Sequence, residues 1–129
     1  MPKLADIMRP ELIEVAPEDT LGELAERMTA LNMGAAVVKD FGRLIGIITE
    51  RDLLKAMAER VHTSEARVRQ WMTEDPITAT SDTDVEDAAE TMLAHGFRHL
   101  PVLDENGGVI GLVSLRRVVG ASSRAAKQH

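Results

Sequence analysis

The spacing of apolar residues changes along the chain, and each change marks a different element. Between Thr20 and Asn32 the apolar residues recur at helical spacing and form one face. These residues are Leu21, Leu24, Ala25, Met28 and Leu31. Two short apolar runs follow, at 35–39 and 43–48, separated by the turn sequence Asp-Phe-Gly. Such runs are typical of buried strands.

The first half of the chain therefore predicts a helix, a strand, a helix, a hairpin and a closing helix. In order these are 3–8, 13–15, a helix from Leu21 that ends near Asn32 and Gly34, strands 35–39 and 43–48, and a helix from Glu50 to about Val61. Thr20 with Glu23 three residues later has the pattern of a capping box.

The second half predicts the same order of elements. In order these are a helix in 65–72 capped by Ser64, a strand at 77–80, a helix from Asp84 to His95 with Gly96 as its stop, strands 99–103 and 109–113, and a helix from about Leu115.

The two halves are also related residue by residue. A shift of 64 residues places Met8 on Met72 and Ile13 on Ile77, and after one inserted residue Gly46 meets Gly111. This duplication predicts an α+β fold of two pseudo-symmetric β-α-β-β-α repeats, packed sheet to sheet as one module. The predicted boundaries are 3–61 for the first repeat, 62–121 for the second with its linker helix, and 122–129 for a flexible tail.

The strand-to-helix junction Gly-Ile-Ile-Thr-Glu-Arg-Asp at 46–52 is the main candidate for chemistry. It places the Thr49 hydroxyl and the Asp52 carboxylate at the start of a helix. The second copy, at 111–117, carries Arg117 where the first carries Asp52. A threonine N-cap with an acidic residue in the first turn is also an ordinary way to start a helix, so the motif alone does not require a ligand.

Composition narrows the function. The chain has 15 basic and 21 acidic residues, 2% aromatic residues and no cysteine. Nucleic-acid binding is disfavoured, because it needs a basic footprint and exposed aromatic rings. Disulfides and cysteine-based metal sites are excluded. No apolar stretch is long enough to span a bilayer, so we expect a soluble cytoplasmic protein without membrane partners. Because Gly96 separates His95 from His99, no metal site is expected.

Taken together, these segments resemble a tandem pair of cystathionine-β-synthase-type (CBS) domains, often called a Bateman module. The resemblance rests on Asp-Ile-Met at 6–8 and Gln-Trp-Met at 70–72, on Arg-His-Leu-Pro-Val-Leu-Asp at 98–104, and on the two Gly-apolar-apolar-Thr/Ser segments. It implies a regulatory ligand, such as AMP, ADP, ATP or S-adenosylmethionine, bound in the cleft between the repeats. No other cofactor is implied.

The resemblance also implies the site residues. Asp52 would bind the ribose hydroxyls, and Thr49 would add a hydrogen bond at the helix start. Residues implied to line the rest of this cleft come from both copies: Gly34, Ala35, Ala36, Thr78, Ala79, Thr80, Arg98 and Arg116. The altered second site holds Ser114 and Arg117, and we expect it to be empty, filled by Arg117 itself, or occupied by a bare anion.

Three functions remain open at this level. The first is a sensor that binds an adenosine-containing ligand as a homodimer and regulates an unidentified protein. The second is an interaction module that dimerises or regulates a partner without binding nucleotide, as the Arg117 substitution suggests. The third is an enzyme, which we expect the chain not to be, because it shows no catalytic pair or triad, phosphate-binding loop or dinucleotide fingerprint.

Overall fold

The computed structural model describes residues 2–127, and the side chains of residues 2–122. In chain order its elements are α1 (Leu4–Ile7), β1 (Glu14–Val15), α2 (Leu21–Leu31), β2 (Ala35–Asp40), β3 (Arg43–Thr49), α3 (Glu50–Ala58), α4 (Val68–Trp71), β4 (Thr73–Glu74), β5 (Ala79–Thr80), α5 (Val85–His95), β6 (His99–Leu103), β7 (Val109–Ser114) and α6 (Leu115–Lys127).

These elements form two compact units. The Asp52 unit consists of Ile13–Pro76. The Arg117 unit consists of residues 2–12 together with residues 77–127, within the described range. Each unit has its own sheet, its own helices and its own apolar core, so the predicted α+β fold with two repeats is confirmed.

The Asp52 unit is built on a four-stranded sheet in the order β1-β2-β3-β4. Strands β1 and β2 are parallel, whereas β3 is antiparallel to both β2 and β4. The apolar face that was predicted for α2 contributes Leu21, Leu24 and Met28 to the core. Partly buried residues, among them Trp71 and Met72, pack against this core.

The Arg117 unit has a three-stranded sheet in the order β5-β6-β7. Strand β5 is parallel to β6, and β6 is antiparallel to β7. Helix α5 buries Val85, Ala88, Ala89 and Met92, the face predicted from its spacing. Leu4, from the short helix α1, is also fully buried in this core.

The helix ends follow the predicted capping signals. The amide of Glu23 donates to Thr20 Oγ1 at 3.1 Å, and the amide of Thr20 donates to Glu23 Oε1 at 3.3 Å, which completes a capping box. The hydrogen bonds from Thr20 lower the pKa of Glu23. Asn32 and Gly96 end α2 and α5 in the left-handed conformation, with φ of 52° and 73°.

The predicted helix over 65–72 is shorter in the structure, and its predicted cap at Ser64 is wrong. Helix α4 begins at Val68, and the amide of Arg67 before it donates to Gln70 Oε1 at 2.8 Å. The residues before α4 bond to α2 instead. The carbonyls of Ala66 and Thr63 accept from the first two amides of α2, those of Leu21 and Gly22. Because these carbonyls accept from α2, they are not available for a helix in their own segment.

Two further differences concern short or polar segments. Strand β4 was not predicted, because its two residues, Thr73 and Glu74, are polar and show no apolar alternation. Helix α6 continues to Lys127, through residues 122–127 of the predicted flexible tail, and it buries Ala121 against the core. Residues 128 and 129 of the predicted tail lie outside the described residues.

The compact units differ from the contiguous repeats 3–61 and 62–121 in one respect: the leading segments are exchanged. Helix α1 belongs to the unit that holds the rest of the second repeat, and α4 to the unit that holds the rest of the first. The amides of Leu4 and Ala5 donate to the carbonyls of Thr83 and Ser81 at 2.9 and 2.8 Å.

Helix α4 repeats this arrangement. The amides of Val68 and Arg69 donate to the carbonyls of Asp19 and Pro17, both at 2.9 Å. The pattern of hydrogen bonds is therefore the same in both units, at positions related by the duplication.

An ion pair adds to the backbone bonds of α1. Lys3 Nζ lies 2.7 Å from Asp84 Oδ1, beside an isolated bridge between the two backbones. The hydrogen bond between these side chains lowers the pKa of Asp84 and raises that of Lys3. Both side chains are exposed, so the pair orients the start of the chain more than it stabilises the fold.

A glycine in each sheet admits the segment that follows the exchanged helix. A Cβ on Gly46 would lie 2.7 Å from Met72 Sδ and 2.9 Å from the carbonyl oxygen of Thr73. A Cβ on Gly111 would lie 3.1 Å from the carbonyl oxygen of Arg9 and 3.2 Å from the sulfur of Met8. The approach is therefore closer in the Asp52 unit.

We predict that Gly46→Ala lowers the free energy of unfolding, by about 1–3 kcal/mol, because the new methyl group must displace backbone as well as a flexible side chain. Gly111→Ala is the matched control and should cost less, since its contacts are longer. Urea denaturation of the two variants measures the difference. Equal midpoints for both variants would contradict the close approach at Gly46.

Candidate functional site

Thr49 and Asp52 lie together at the junction of β3 and α3. The amide of Thr49 donates to Asp52 Oδ2 at 2.8 Å, and the Thr49 hydroxyl donates to the same oxygen at 3.2 Å. Asp52 therefore caps its own helix, as expected for a motif that starts a helix and needs no ligand. The other carboxylate oxygen, Oδ1, has no hydrogen-bond donor among the backbone and side-chain groups that the structure describes. It can accept from a ligand, because an ionised carboxylate has about four acceptor positions.

Strand β2 brings the small residues next to this junction. Ala35 pairs with Thr49 across the hairpin, and the amide of Glu50 donates to the carbonyl of Gly34 at 2.9 Å. Of the three small residues predicted to leave room for a ring, Ala36 is fully buried within the core cluster. Its side chain serves packing, so Gly34 and Ala35 are the members that lie closest to the junction.

The space beside Gly34 holds the carboxyl group of Glu50. Where a side chain at position 34 would begin, the carboxyl carbon of Glu50 is 3.1 Å away and its two oxygens are 3.2 and 3.3 Å away. Sequence reasoning missed Glu50, since positions 34 and 50 become neighbours only when β2 and β3 pair. The glycine opposite the first helical residue was the one signal available.

The remaining predicted site residues belong to the Arg117 unit. Ala79 packs against its core, and Thr78 is half-buried. Thr80 turns back on its own loop: its amide donates to Thr83 Oγ1 at 3.1 Å, and its hydroxyl donates to Asp82 at 3.3 Å. Arg98 and Arg116 are exposed. The predicted site thus draws five residues from the Asp52 unit, Gly34, Ala35, Ala36, Thr49 and Asp52, and five from the Arg117 unit, Thr78, Ala79, Thr80, Arg98 and Arg116.

The altered motif uses its side chains within its own unit. Ser114 Oγ accepts from the amide of Arg117 at 3.2 Å, which caps α6. Arg117 Nη1 donates to the carbonyl of Ile7 at 3.0 Å. This carbonyl belongs to the last residue of α1, where an arginine can satisfy an orphan acceptor. The three alternatives for the second site stay predictions, since this contact lies within the Arg117 unit.

The histidines give no sign of a metal centre. His95 stacks on Phe97 with ring centroids 5.3 Å apart and an angle of 11° between the planes. Within the part of the chain that the structure describes, no three His, Cys, Asp or Glu side chains converge on a common point. None of the helices in that part is both long and apolar enough to cross a membrane.

The comparisons with known proteins agree with this architecture. The model of the CBS domain matches the chain twice, over residues 4–59 and 68–124. The chain therefore belongs to the CBS-domain family.

Relatives of the chain differ in length. A 17.7 kDa uncharacterized protein of Acidianus ambivalens is 41% identical over 120 residues, which cover 92% of this chain and 72% of that protein. The inosine-5′-monophosphate dehydrogenase of Methanocaldococcus jannaschii is 33% identical over 118 residues, which cover 91% of this chain but 23% of the enzyme. An uncharacterized Methanopyrus kandleri protein is 33% identical, over 60% of its length. The chain thus spans a small part of some relatives and most of others.

Two solved structures with bound ligands resemble the whole chain. The CBS domain pair of protein MJ0100, in complex with 5′-methylthioadenosine and S-adenosyl-L-methionine, is 25% identical with a TM-score of 0.86, and the match covers 97% of this chain and 98% of that one. CBSX2 in complex with AMP is 27% identical with a TM-score of 0.78, over 98% and 99% of the two chains.

We predict that Arg117→Met destabilises the protein by up to about 1 kcal/mol, because the carbonyl of Ile7 loses its donor at an exposed position. Arg116→Met is the matched control: it removes the same charge one residue earlier, from a side chain with no hydrogen bond or ion pair in the described part of the chain. Chemical denaturation compares them. If both variants unfold at the same denaturant concentration, Arg117 does not tether α1.

Proposed function

We propose that this protein is a regulatory ligand-binding CBS pair, and that its ligand is an adenosine-containing small molecule held through the ribose by Asp52. The family and the ligands of MJ0100 and CBSX2 support the class of ligand. The observation that carries the proposal is the carboxylate of Asp52, which Thr49 fixes at the start of α3 with Oδ1 available.

The chemistry of the proposed contact is simple. The two vicinal hydroxyls of a ribose are donors, and an ionised carboxylate accepts hydrogen bonds from both. Because Thr49 already orients the carboxylate, little side-chain entropy is lost when the ligand binds. Gly34 and Ala35 place only backbone and one methyl group next to the junction, where the Glu50 carboxyl group also lies. On this proposal, Thr78, Ala79 and Thr80 contact the base, and Arg98 and Arg116 contact phosphate if the ligand carries one.

Asp52→Asn tests the ribose contact. The asparagine oxygen can still accept from the Thr49 amide, so the helix cap is kept, whereas its amino group cannot accept from a hydroxyl. We expect affinity for the adenosine ligand to fall at least about tenfold, which corresponds to about 1.4 kcal/mol. Calorimetric titration with AMP, ADP, ATP and S-adenosylmethionine measures the loss.

Asp75→Asn is the matched control for this titration. It makes the same change in an exposed residue of the same unit, at a left-handed backbone position that asparagine tolerates. It should bind like the unmodified protein. If the unmodified protein gives no heat with any of the four ligands, the proposed sensor function is wrong and the interaction module without nucleotide is favoured.

We further propose that the protein acts as a homodimer and regulates a partner protein rather than catalysing a reaction. The support for the dimer is the outer face of α3, where Leu54 and Met57 are each 65% exposed. Residues three apart on a helix share a face, so the two side chains form one apolar surface. A second copy of the chain would remove that surface from water.

The double substitution Leu54→Glu, Met57→Glu should convert the dimer into a monomer, because two charges cannot be buried unpaired against an apolar face. Light scattering coupled to gel filtration gives the mass directly. The control is Phe41→Glu, at a hairpin tip that is 98% exposed and well separated in sequence from α3. A monomeric unmodified protein, or a dimer lost through Phe41→Glu alone, would contradict the role of α3.

A further inference from the structure

Glu50 has an environment that the fold does not require. Its carboxyl group lies against Gly34, and within the described residues it has no hydrogen-bond donor and no ion-pair partner. The backbone is already fixed without it, since the amide of Glu50 donates to the carbonyl of Gly34. The backbone of this junction therefore does not need the charge of Glu50.

The other unit provides an internal comparison. There the equivalent residue is Leu115, whose amide donates to the carbonyl of Arg98 at 2.7 Å. The same backbone bond thus forms with an apolar side chain above an arginine, instead of a carboxylate above a glycine. The junction tolerates either sign of local charge, so the charge at Glu50 is open to another use.

That charge lies in the same helical turn as Asp52. A ligand whose ribose binds Asp52 carries its 5′ substituent close to this turn, because a ribose is a small ring. Unit charges closer together than the Debye length, about 8 Å at physiological salt, still interact. An anionic 5′ substituent is consequently repelled by the Glu50 carboxylate, an uncharged one is not, and a cationic one is attracted.

We propose that Glu50 is a specificity-determining residue of the Asp52 site, one that disfavours phosphate-bearing adenosine ligands relative to those with an uncharged or cationic 5′ substituent. This inference rests on the proposed adenosine-binding function and adds the class of ligand that the site prefers.

The experiment compares three adenosine ligands that differ in 5′ charge: AMP, 5′-methylthioadenosine and S-adenosylmethionine. Calorimetry gives the ratio of the dissociation constants of AMP and 5′-methylthioadenosine for each variant. Glu50→Gln keeps the size of the side chain and should change this ratio in favour of AMP. The expected change is about fivefold for each negative charge on the phosphate of AMP. Binding of S-adenosylmethionine should weaken. Raising the salt concentration should reduce the difference between variants.

Glu59→Gln is the matched control. It removes the same charge from the exposed residue that ends α3, roughly 13 Å away along the helix, and should leave the ratio unchanged. If Glu50 serves only to stabilise the start of α3, Glu50→Gln lowers the stability of the protein and leaves the ratio unchanged. Thermal unfolding measures this loss of stability separately.

The outcomes separate the two proposals. If the unmodified protein binds at least one ligand and Glu50→Gln shifts the ratio no more than Glu59→Gln, Glu50 does not determine specificity and the adenosine-binding function stands. If the unmodified protein binds none of the three, this inference is overturned, and the adenosine-binding function is overturned as well when ADP and ATP also give no heat.

Discussion

Each unit depends on backbone hydrogen bonds to a helix of four residues. Such a helix makes few bonds of its own, and its first amides need acceptors outside it. The amides of Leu4 and Ala5 find them in the carbonyls of Thr83 and Ser81, and the amides of α4 find them in the turn before α2. Because these donors and acceptors are distant in sequence, the leading segment of one repeat completes the unit formed by the other.

The close contacts at the sheets follow from this exchange. The chain that leaves α4 runs against β3 and pairs with it at Ile47 and Thr73, which is possible because Gly46 has no side chain. The chain that leaves α1 reaches Gly111 and forms a bridge between Arg9 and Leu112. In the Arg117 unit, the guanidinium of Arg117 adds one more bond to the same segment. The arginine thus belongs to the packing of its own unit.

The sequence was a reliable guide wherever a local signal determines local structure. The capping box at Thr20 and the left-handed stop at Gly96 were both predicted from residue type and spacing, and both are confirmed. The exchange of α1 and α4 could not be predicted in this way, because a shift of the sequence against itself finds repeats but not the partner of each segment. Strand β4 was missed because it is held by pairing with β3, not by an apolar pattern of its own.

In the candidate site, too, contacts between residues close in sequence were predictable, and contacts that depend on strand pairing were not. Thr49 and Asp52 are three residues apart in a helix start, so their contact follows from the sequence. The position of the Glu50 carboxylate against Gly34 depends on the pairing of β2 with β3, which brings Ala35 opposite Thr49. Ala36 is fully buried in the core cluster, and its role in the site stays a prediction.

Asp52 and Arg117 occupy equivalent positions in the two units, but their side chains make different contacts. In both units the strand ends in a hydroxyl residue, and the next amide donates to the carbonyl of the residue just before the facing strand. The third helical residue bonds back to the hydroxyl residue, through its carboxylate in Asp52 and through its amide in Arg117. The hydrogen bond to the facing segment forms in both units whichever side chain stands at the third position, so this position can vary. In one unit it is a carboxylate with an unused acceptor, and in the other a guanidinium bound to Ile7. A duplicated frame fixed by backbone bonds can in this way keep one junction for a ligand and use the other to hold its own chain.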